Sequence, residues 1–323
     1  MRKKVLFIGM LVTLLFAFSG CGTKNERVVT LIMSDVQEGD HPTAQACDKF
    51  AELVKKRTNG KVVIEVYHGS TLGTEAEQIA QATVGGIDFV RVSSPVAAYY
   101  DDIKAFQALY LYSSEDDMWK VLDGEIGNEF LKAQQLKDNG LEGLCWVSGG
   151  SRNFYNNVRP ITSPEDLAGL TLRVNTDSMF AFLESCGAKG VNVSYNDIYN
   201  SIEAGTIDGA ENNWPSYKVA PYITVDEHTR IPEMIVASTE SMNKLTSEQQ
   251  QIVRECAQEA GQLQRKWMQE YDEKAIKAAE DAGCTITYLT KEQSAKFQSV
   301  AEPINEKVSA KYMTIIRKIK AAQ

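Results

Sequence analysis

Histidine is scarce in this chain, with only His41, His68 and His228 among 323 residues. None of the three lies three to five residues from another histidine or from a cysteine, which is the spacing typical of zinc ligands. The chain also lacks the Gly-x-Ser-x-Gly turn of a serine nucleophile and the Gly-x-x-x-x-Gly-Lys loop that binds phosphate. We therefore predict no metal site, no cofactor and no catalytic residue, and we expect that the protein is not an enzyme.

Positively charged residues are also fewer than negatively charged ones. Lysine and arginine total 34 against 43 aspartate and glutamate residues, which gives a formal net charge of −9 at pH 7. The balance is more negative still without the three cations at residues 2–4. Because a nucleic-acid-binding surface needs a basic patch, this composition argues against a nucleic-acid partner.

Long apolar runs are absent except for one, at residues 5–18, which follows the N-terminal cations. It is shorter than the roughly 20 residues that a membrane-spanning helix needs. The run ends in two small residues and Cys21, an order typical of a secretory signal peptide and similar to a bacterial lipobox. We predict a signal peptide at 1–20, lipidation of Cys21 and a polar tether at 21–26. The protein would then be exported and held by its lipid at the membrane surface, on the outer face of the bacterial cytoplasmic membrane; an ordinary cleavage site with a coincidental cysteine is the alternative.

The remaining cysteines do not form a pattern that suggests a disulfide framework. They are an odd number at wide spacings: Cys47, Cys145, Cys186, Cys256 and Cys284. The first four have apolar neighbours, where an unpaired cysteine behaves as a small hydrophobic residue. We expect buried free thiols, with a single disulfide left open.

From residue 27 onward, β-branched runs alternate with amphipathic helical stripes, which is typical of an α/β architecture with largely parallel sheets. The mature chain of about 300 residues exceeds what one core usually organises. The signature Gly-x-Ile-Asp occurs at 85–88 and again at 205–208, as two related lobes would produce. We predict a first lobe at 27–147 and a second lobe mainly at 148–240, with later segments returning to the first.

Two features indicate how the lobes are joined. The Ser-Gly-Gly segment at 148–150 supplies backbone freedom for a crossing between lobes. A capping box then starts a helical pattern over 244–282, which ends at Gly283. At 1.5 Å per residue this helix spans roughly 50 Å, so we predict that it braces both lobes. Residues 283–323 are expected to add a strand and helices that pack on the lobes, with a break at Pro303.

Three arginines lie where an α/β lobe usually places its binding loops. Arg173 stands in an otherwise apolar strand at 170–174, where a buried guanidinium needs a partner. Its donors match a carboxylate bidentately, and the residues alone leave an internal salt bridge and a ligand equally open. Arg152 lies near Tyr155 after the predicted crossing, with a solvated strand edge as the alternative, and Arg91 follows the first Gly-x-Ile-Asp strand. Ligands bind outside the carboxyl ends of strands in open α/β sheets, so these positions suit a binding site.

Several runs along the chain resemble one known family. They are GSRNFYN at 150–156, RPI at 159–161, SPEDLAGL at 163–170, LRV at 172–174, GA at 187–188, IDGAENN at 207–213 and DEHT at 226–229, with HP at 41–42 and LG at 72–73 upstream. In this order they resemble the DctP-type substrate-binding subunits of TRAP (tripartite ATP-independent periplasmic) transporters, over nearly the whole mature chain. The resemblance implies a two-lobe α/β fold like that of type II periplasmic binding proteins, with crossing hinge strands. Such a protein closes on a small organic acid and delivers it to the TRAP membrane subunits.

The resemblance also implies roles for individual residues. Arg173 matches the arginine that clamps the substrate carboxylate, Arg152 matches a second cation, and Asn213 matches an amide contact from the opposite side. His41 and Glu77 resemble positions that meet ligand hydroxyls in sugar-acid-binding members, although capping or surface roles fit them equally. For Arg91, too, a ligand contact and a capping or surface role are equally possible interpretations.

The motifs around Tyr155 and at 226–229 look most like family members that bind uronates. We therefore count Tyr155 among the site residues and favour a hexuronate such as glucuronate or galacturonate. The chain departs from the family pattern near 191–193 and at 197–199, where a proline and a glutamate are usual, and this leaves the floor of the pocket open. A C4-dicarboxylate or another sugar acid is the alternative ligand. A ligand-sensing partner of a membrane receptor is an alternative role, whereas an extracytoplasmic hydrolase would need a nucleophile or carboxylate pair that the sequence does not show.

Overall fold

The computed structural model describes residues 28–214 and 220–323, which form two β-sheets covered by helices. The predicted signal peptide, Cys21 and the tether lie outside the described residues. The strands are β1 (Val29–Ser34), β2 (Val62–Tyr67), β3 (Phe89–Val92), β4 (Leu141–Val147), β5 (Arg152–Asn156), β6 (Thr171–Arg173), β7 (Lys189–Val191), β8 (Gly209–Asn212), β9 (Tyr222–Thr229), β10 (Glu233–Ser238) and β11 (Thr285–Tyr288).

The two sheets are mixed, rather than largely parallel as the alternation predicts. The first has the strand order β2-β1-β3-β10-β4 and the second has the order β11-β9-β5-β8-β6-β7. Strands β1, β2 and β3 pair in parallel, as do β6, β7 and β8. In contrast, β10 runs antiparallel to β3 and β4, and β5 runs antiparallel to β8 and β9. The reason is that β5 and β10 each follow a crossing between the sheets, at 148–151 and 230–232, and so enter their sheet from the opposite end to its parallel strands.

The helices pack on the faces of these sheets. They are α1 (Pro42–Arg57), α2 (Glu75–Ala82), α3 (Glu115–Asp123), α4 (Glu125–Leu131), α5 (Gln134–Asp138), α6 (Asp177–Ser185), α7 (Ile198–Glu203), α8 (Thr239–Met242), α9 (Ser247–Asp281), α10 (Lys291–Val308) and α11 (Met313–Ala322). Among the described residues, none of these helices combines the length and apolar character that crossing a membrane requires.

Helix α9 packs against both sheets. Val253 and Cys256 in its first half belong to an apolar core with the first sheet. Ala275 and Ala279 near its end belong to a core with the second sheet. The predicted bracing helix is therefore confirmed, and its capping box and the following Gly283, at φ 77°, lie where the sequence indicates.

The predicted break at Pro303 is wrong, because α10 continues through this residue. Proline cannot donate the helical hydrogen bond and its ring crowds the preceding turn. Here Phe297, Ala301 and Ile304 bury against the second sheet on both sides of Pro303. This packing holds the helix together where local propensity would end it.

The repeated Gly-x-Ile-Asp signature has the same structure in both sheets. The carboxylate of Asp88 accepts a hydrogen bond from Ile32 N at 2.6 Å, and Asp88 N donates to Ile32 O at 3.1 Å. Asp208 makes the same pair of bonds with Thr171, at 2.7 and 2.8 Å. Each aspartate thus ties the start of one strand to its parallel neighbour. This shared local structure supports the interpretation of the repeat as the product of two similar lobes.

The five described cysteines are free thiols. Cys47, Cys145, Cys186 and Cys256 are buried, as predicted, and Cys284 is partly exposed. Three of the buried ones lie in the core between the first sheet and α9. They act there as small apolar residues.

Candidate functional site

A cleft of about 750 Å³ is lined by segments that follow strands of both sheets. Residues 73–77 and 94–95 follow β2 and β3 of the first sheet. In the second sheet, Arg173 ends β6, Asn175 follows β6 and residues 192–197 follow β7. The carboxyl ends of these parallel strands therefore face the same space. This is the position at which open α/β sheets bind ligands, and its volume suits a small molecule.

Arg173 is a cation that lines this cleft from the end of β6. Its side chain is 6% exposed, and its Nε donates to the carbonyl oxygen of Val193 at 3.0 Å. It makes no salt bridge with a carboxylate among the described residues. Burial and the nearby charge of Arg152 lower the pKa of Arg173, against an opposing effect of Glu211. The internal salt bridge that the sequence left open is thus not seen in the described part of the chain.

Arg152 is held by its own strand neighbours. Its Nε donates to Glu211 Oε2 at 2.5 Å, and its Nη2 donates to Glu211 Oε1 at 3.0 Å and to the Glu211 carbonyl oxygen at 2.8 Å. Its Nη1 donates to Asn212 Oδ1 at 2.9 Å. Burial alone would lower the pKa of Arg152, but Glu211 raises it above the ordinary value. The guanidinium therefore brings positive charge close to Arg173 while most of its donors are already used.

The Arg152 contact continues into a buried chain of polar groups. His228 Nε2 lies 3.2 Å from Glu211 Oε2, and His228 Nδ1 lies 2.9 Å from Asp226 Oδ2. The hydroxyl of Tyr110 donates to Asp226 Oδ2 at 3.2 Å. Burial works against a charged imidazole, but Asp226 and Glu211 together raise the pKa of His228 to about 9. Burial likewise works against the Glu211 carboxylate, but Arg152 and His228 lower its pKa to about 2.

Asn213 and Tyr155 lie beside the first crossing. Asn213 Nδ2 donates to the carbonyl oxygen of Gly149 at 2.9 Å, and its side chain is buried. Tyr155 on β5 is 2% exposed, and its hydroxyl makes no hydrogen bond with a described residue. Burial raises the pKa of Tyr155, while the charge of Arg173 opposes this shift. The structure thus brings Tyr155 close to the arginines, whereas Asn213 is engaged with the crossing segment.

Arg91 is buried behind the wall that the first sheet contributes. Its side chain is 1% exposed, and its Nε donates to Asp35 Oδ1 at 2.8 Å. Its Nη1 lies 3.5 Å from Glu75 and 3.4 Å from Glu233. Burial raises the pKa of Glu233 to about 7, although Arg91 opposes this shift. Three carboxylates thus surround one guanidinium, so this region carries excess negative charge.

The two residues predicted to meet ligand hydroxyls both act as helix caps. Glu77 Oε2 accepts from Thr74 N at 2.8 Å and closes the capping box of α2, yet Glu77 also lines the cleft. His41 is the N-cap of α1, where its Nδ1 accepts from Thr43 N at 3.2 Å. Burial and the charge of Arg91 lower the pKa of His41 to about 3, so its ring is neutral. His41 is not among the residues that line the cleft.

Several polar residues of the cleft escaped the sequence reasoning. Ser94 and Asn175 line it, and each has a buried side-chain oxygen that makes no hydrogen bond with a described residue. Tyr195 also lines the cleft; burial raises the pKa of its hydroxyl, and the charge of Arg91 opposes this shift. Their positions in the sequence could have identified them, because Ser94 follows strand β3 and Asn175 lies two residues after Arg173.

Two sheets that share one cleft at their carboxyl ends, joined by two crossings and braced by one long helix, define a two-lobe solute-binding protein of the periplasmic-binding-protein type. The chain belongs to the DctP family of bacterial extracellular solute-binding proteins, family 7, whose model matches residues 33–311. This confirms the resemblance found in the sequence motifs. The family binds solutes outside the cytoplasm and is not a family of enzymes.

Known relatives agree with this membership. A solute-binding protein of Chromohalobacter salexigens is 31% identical over 278 residues, which cover 84% of this chain and 82% of that protein. A TRAP periplasmic solute-binding protein from the same organism, solved with bound D-glucuronate, has 29% identity and a TM-score of 0.86, and covers 91% of this chain and 100% of that one. Another from Sulfitobacter sp. NAS-14.1, solved with β-D-galacturonate, has 29% identity and a TM-score of 0.84, with 91% and 98% covered.

Proposed function

We propose that this protein binds a hexuronate such as D-glucuronate or D-galacturonate outside the cytoplasm and delivers it to TRAP membrane subunits. The observation that carries the proposal is Arg173, a buried guanidinium in the cleft without a salt-bridge partner among the described residues. A buried charge requires a counter-charge, and a carboxylate satisfies a guanidinium through two parallel hydrogen bonds. The bound uronates of the two similar solved structures support this choice of ligand.

Other predicted residues have narrower roles in this proposal. Arg152 contributes positive charge beside Arg173 rather than hydrogen bonds to the ligand, because Glu211 and Asn212 already accept from most of its donors. Tyr155 offers a buried hydroxyl. Glu77 offers Oε1, because only its Oε2 accepts the capping bonds from Thr74.

Three further predicted residues act indirectly in the proposal. Arg91 and His41 shape the first-sheet wall from behind rather than contacting the ligand. Asn213 positions the crossing segment through its bond to Gly149.

Ligand capture requires the cleft to open and close. We assign the hinge to the two crossings at 148–151 and 230–232, which join a lobe at 27–147 to a lobe formed mainly by 148–240. Gly150 has φ 73°, a conformation that glycine adopts at little cost. The side chain of Gln264 on α9 holds the start of the first crossing, since it accepts from Ser148 N at 2.7 Å and donates to Ser148 O at 2.8 Å. Motion about these segments would close the two walls on the ligand.

Isothermal titration of the purified protein with D-glucuronate, D-galacturonate and succinate tests the proposal. We expect binding of at least one hexuronate, and loss of that binding in Arg173→Met, which removes the charge but retains a long apolar side chain. Arg317→Ala, which removes an exposed arginine, is the control and should bind as the wild type does. Tight binding of succinate with no hexuronate binding would refute the proposal in favour of the dicarboxylate alternative.

We also propose that the mature protein is anchored by lipid at Cys21 on the outer face of the cytoplasmic membrane. The support is the order of residues 2–21, in which cations, an apolar run and two small residues precede the cysteine. Two acyl chains suffice for stable anchoring. Cys21→Ser should move the protein from the membrane fraction to the soluble exported fraction and abolish incorporation of labelled palmitate. Unchanged membrane association in the variant would refute the anchor.

A further inference from the structure

The two walls of the cleft differ in charge. The second-sheet wall contains the buried Arg173, with the charge of Arg152 nearby. The first-sheet wall contains the carboxylates of Glu75 and Glu77. The cation behind that wall, Arg91, is 1% exposed and is already shared among three carboxylates. A ligand that spans the cleft therefore meets positive potential at one end and negative potential at the other.

The second-sheet wall also carries one carboxylate, Asp197, which lines the cleft. Its oxygen accepts from the hydroxyl of Ser194 on the same wall. It brings the acidic side chains that line the cleft to three, with Glu75 and Glu77.

Neutral polar atoms in the same cleft lack partners. Ser94 is 9% exposed, and its Oγ is buried without a hydrogen bond to a described residue. The Oδ1 atom of Asn175 is likewise buried without a hydrogen bond to a described residue. Both residues line the cleft, one from each wall. Because an unsatisfied buried polar group is costly, these two atoms point to ligand groups that donate or accept hydrogen bonds without charge.

We propose that the cleft takes a sugar acid with a single carboxylate, that Ser94 and Asn175 bind its uncharged hydroxyl-bearing end, and that Glu75 and Glu77 exclude a second carboxylate. This inference rests on the proposed function, since it assumes that Arg173 holds the first carboxylate. It goes further by naming two specificity residues and the class of acid that the site rejects. A six-carbon sugar diacid falls in that rejected class.

Three six-carbon acids allow the effect of ligand charge on binding to be measured separately from the effect of ligand shape. D-glucuronate is cyclic with one carboxylate, D-gluconate is an open chain with one carboxylate, and D-glucarate is the same open chain with a carboxylate at each end. Each open-chain acid is measured in competition with bound glucuronate. We expect the dissociation constant of gluconate to be at least tenfold lower than that of glucarate. Glu75 is 15% exposed, so its repulsion of a second carboxylate is only partly screened by solvent and can produce this ratio, whereas the exposed Glu77 contributes less.

Glu77→Gln tests the charge of the wall without removing the helix cap. Glutamine at this position also closes a capping box, so the fold of α2 should be retained. We expect the ratio between gluconate and glucarate to narrow by about threefold or more. An unchanged ratio, or glucarate that binds the wild type as well as gluconate does, would overturn the exclusion.

Ser94→Ala tests the neutral contact. The variant should weaken glucuronate binding by about three- to tenfold, as expected for one hydrogen bond between uncharged groups. Its melting temperature without ligand should not fall, because the hydroxyl has no described protein partner. Ser238→Ala is the matched control, since Ser238 Oγ is also buried without a hydrogen bond to any described residue but does not line the cleft.

The outcomes distinguish this inference from the proposed function. If the wild type does not bind glucuronate at all, the proposed function fails and the inference fails with it. If glucuronate binds but Ser94→Ala and Ser238→Ala have equal affinity, the inference about Ser94 is refuted and the proposed function stands. Water, rather than a ligand, would then satisfy the Ser94 hydroxyl.

Discussion

The buried His228 gives the sharpest test of the electrostatics around Arg152. Its ring lies between Asp226 and Glu211, which raise its pKa from 6.5 to about 9. Since a tenfold change in proton affinity corresponds to about 1.4 kcal/mol, protonation of this ring stabilises the folded state by about 3 kcal/mol. Because the folded pKa lies above the unfolded value, this contribution is fully present below pH 6.5. It is lost as the pH rises through about 9.

The perturbation is His228→Asn, which is neutral at every pH. The difference in melting temperature between wild type and variant should be largest below pH 6.5 and should shrink steadily toward pH 9. With an unfolding entropy of about 2.1 cal/mol/K per residue over about 300 residues, a change of about 3 kcal/mol corresponds to a shift of about 5 °C. His68→Asn is the matched control for loss of an imidazole, because His68 pairs with Asp48 near the surface.

Nitrogen-15 spectra of the imidazole rings provide a direct assay, since the chain has only three histidines. His228 should remain doubly protonated up to about pH 9, whereas His41, whose pKa is lowered to about 3, should stay neutral through the same range. A His228 ring that titrates near pH 6.5, or melting curves of His228→Asn that run parallel to those of the wild type, would refute this account of the network.

Two predictions concern the hinge. Gln264→Leu leaves the backbone N–H and carbonyl of Ser148 without the hydrogen bonds that Gln264 makes to them. The free energy of unfolding, measured by urea titration, should therefore fall by about 3 kcal/mol. The control is Gln262→Leu at an exposed position, and an equal loss of stability in both variants would contradict the role of Gln264. Gly150→Ala places a Cβ 3.2 Å from Asn213 Cβ at φ 73° and should weaken ligand binding as well as stability. Gly169→Ala, at φ 80° with no atom within 4 Å, should show only the backbone cost of about 1–2 kcal/mol.

The elements of the fold were largely predictable because their signals are local. The strand predicted within 283–323 is β11, and the capping box marks the start of α9. The echo of Gly-x-Ile-Asp also has a local cause, since Asp88 and Asp208 bond to the neighbouring strand in the same way. The mixed strand directions were not predictable, because they depend on which sheet each strand enters.

The site was predictable only in part. Arg173 could be singled out, because one charged residue in an apolar strand is conspicuous. The partner of Arg152 could not, since Glu211 lies 59 residues away and meets it only through the register of β5 on β8. Ser94 and Asn175 are ordinary polar residues in the sequence. The role proposed for them rests on their buried oxygen atoms, which only the packed structure reveals.

The proposed role of Arg173 gives a physical reason for coupling between ligand and closure. A guanidinium buried without a counter-charge destabilises the arrangement that buries it, and in the proposed function a ligand carboxylate supplies that counter-charge. Ligand binding would then favour the closed arrangement through its greater affinity for that state. At a concentration 100 times its dissociation constant, the ligand stabilises the protein by about 2.7 kcal/mol. It follows that Arg173→Met without ligand should melt no lower than the wild type, whereas a structural salt bridge at Arg173 would make the variant melt at a clearly lower temperature.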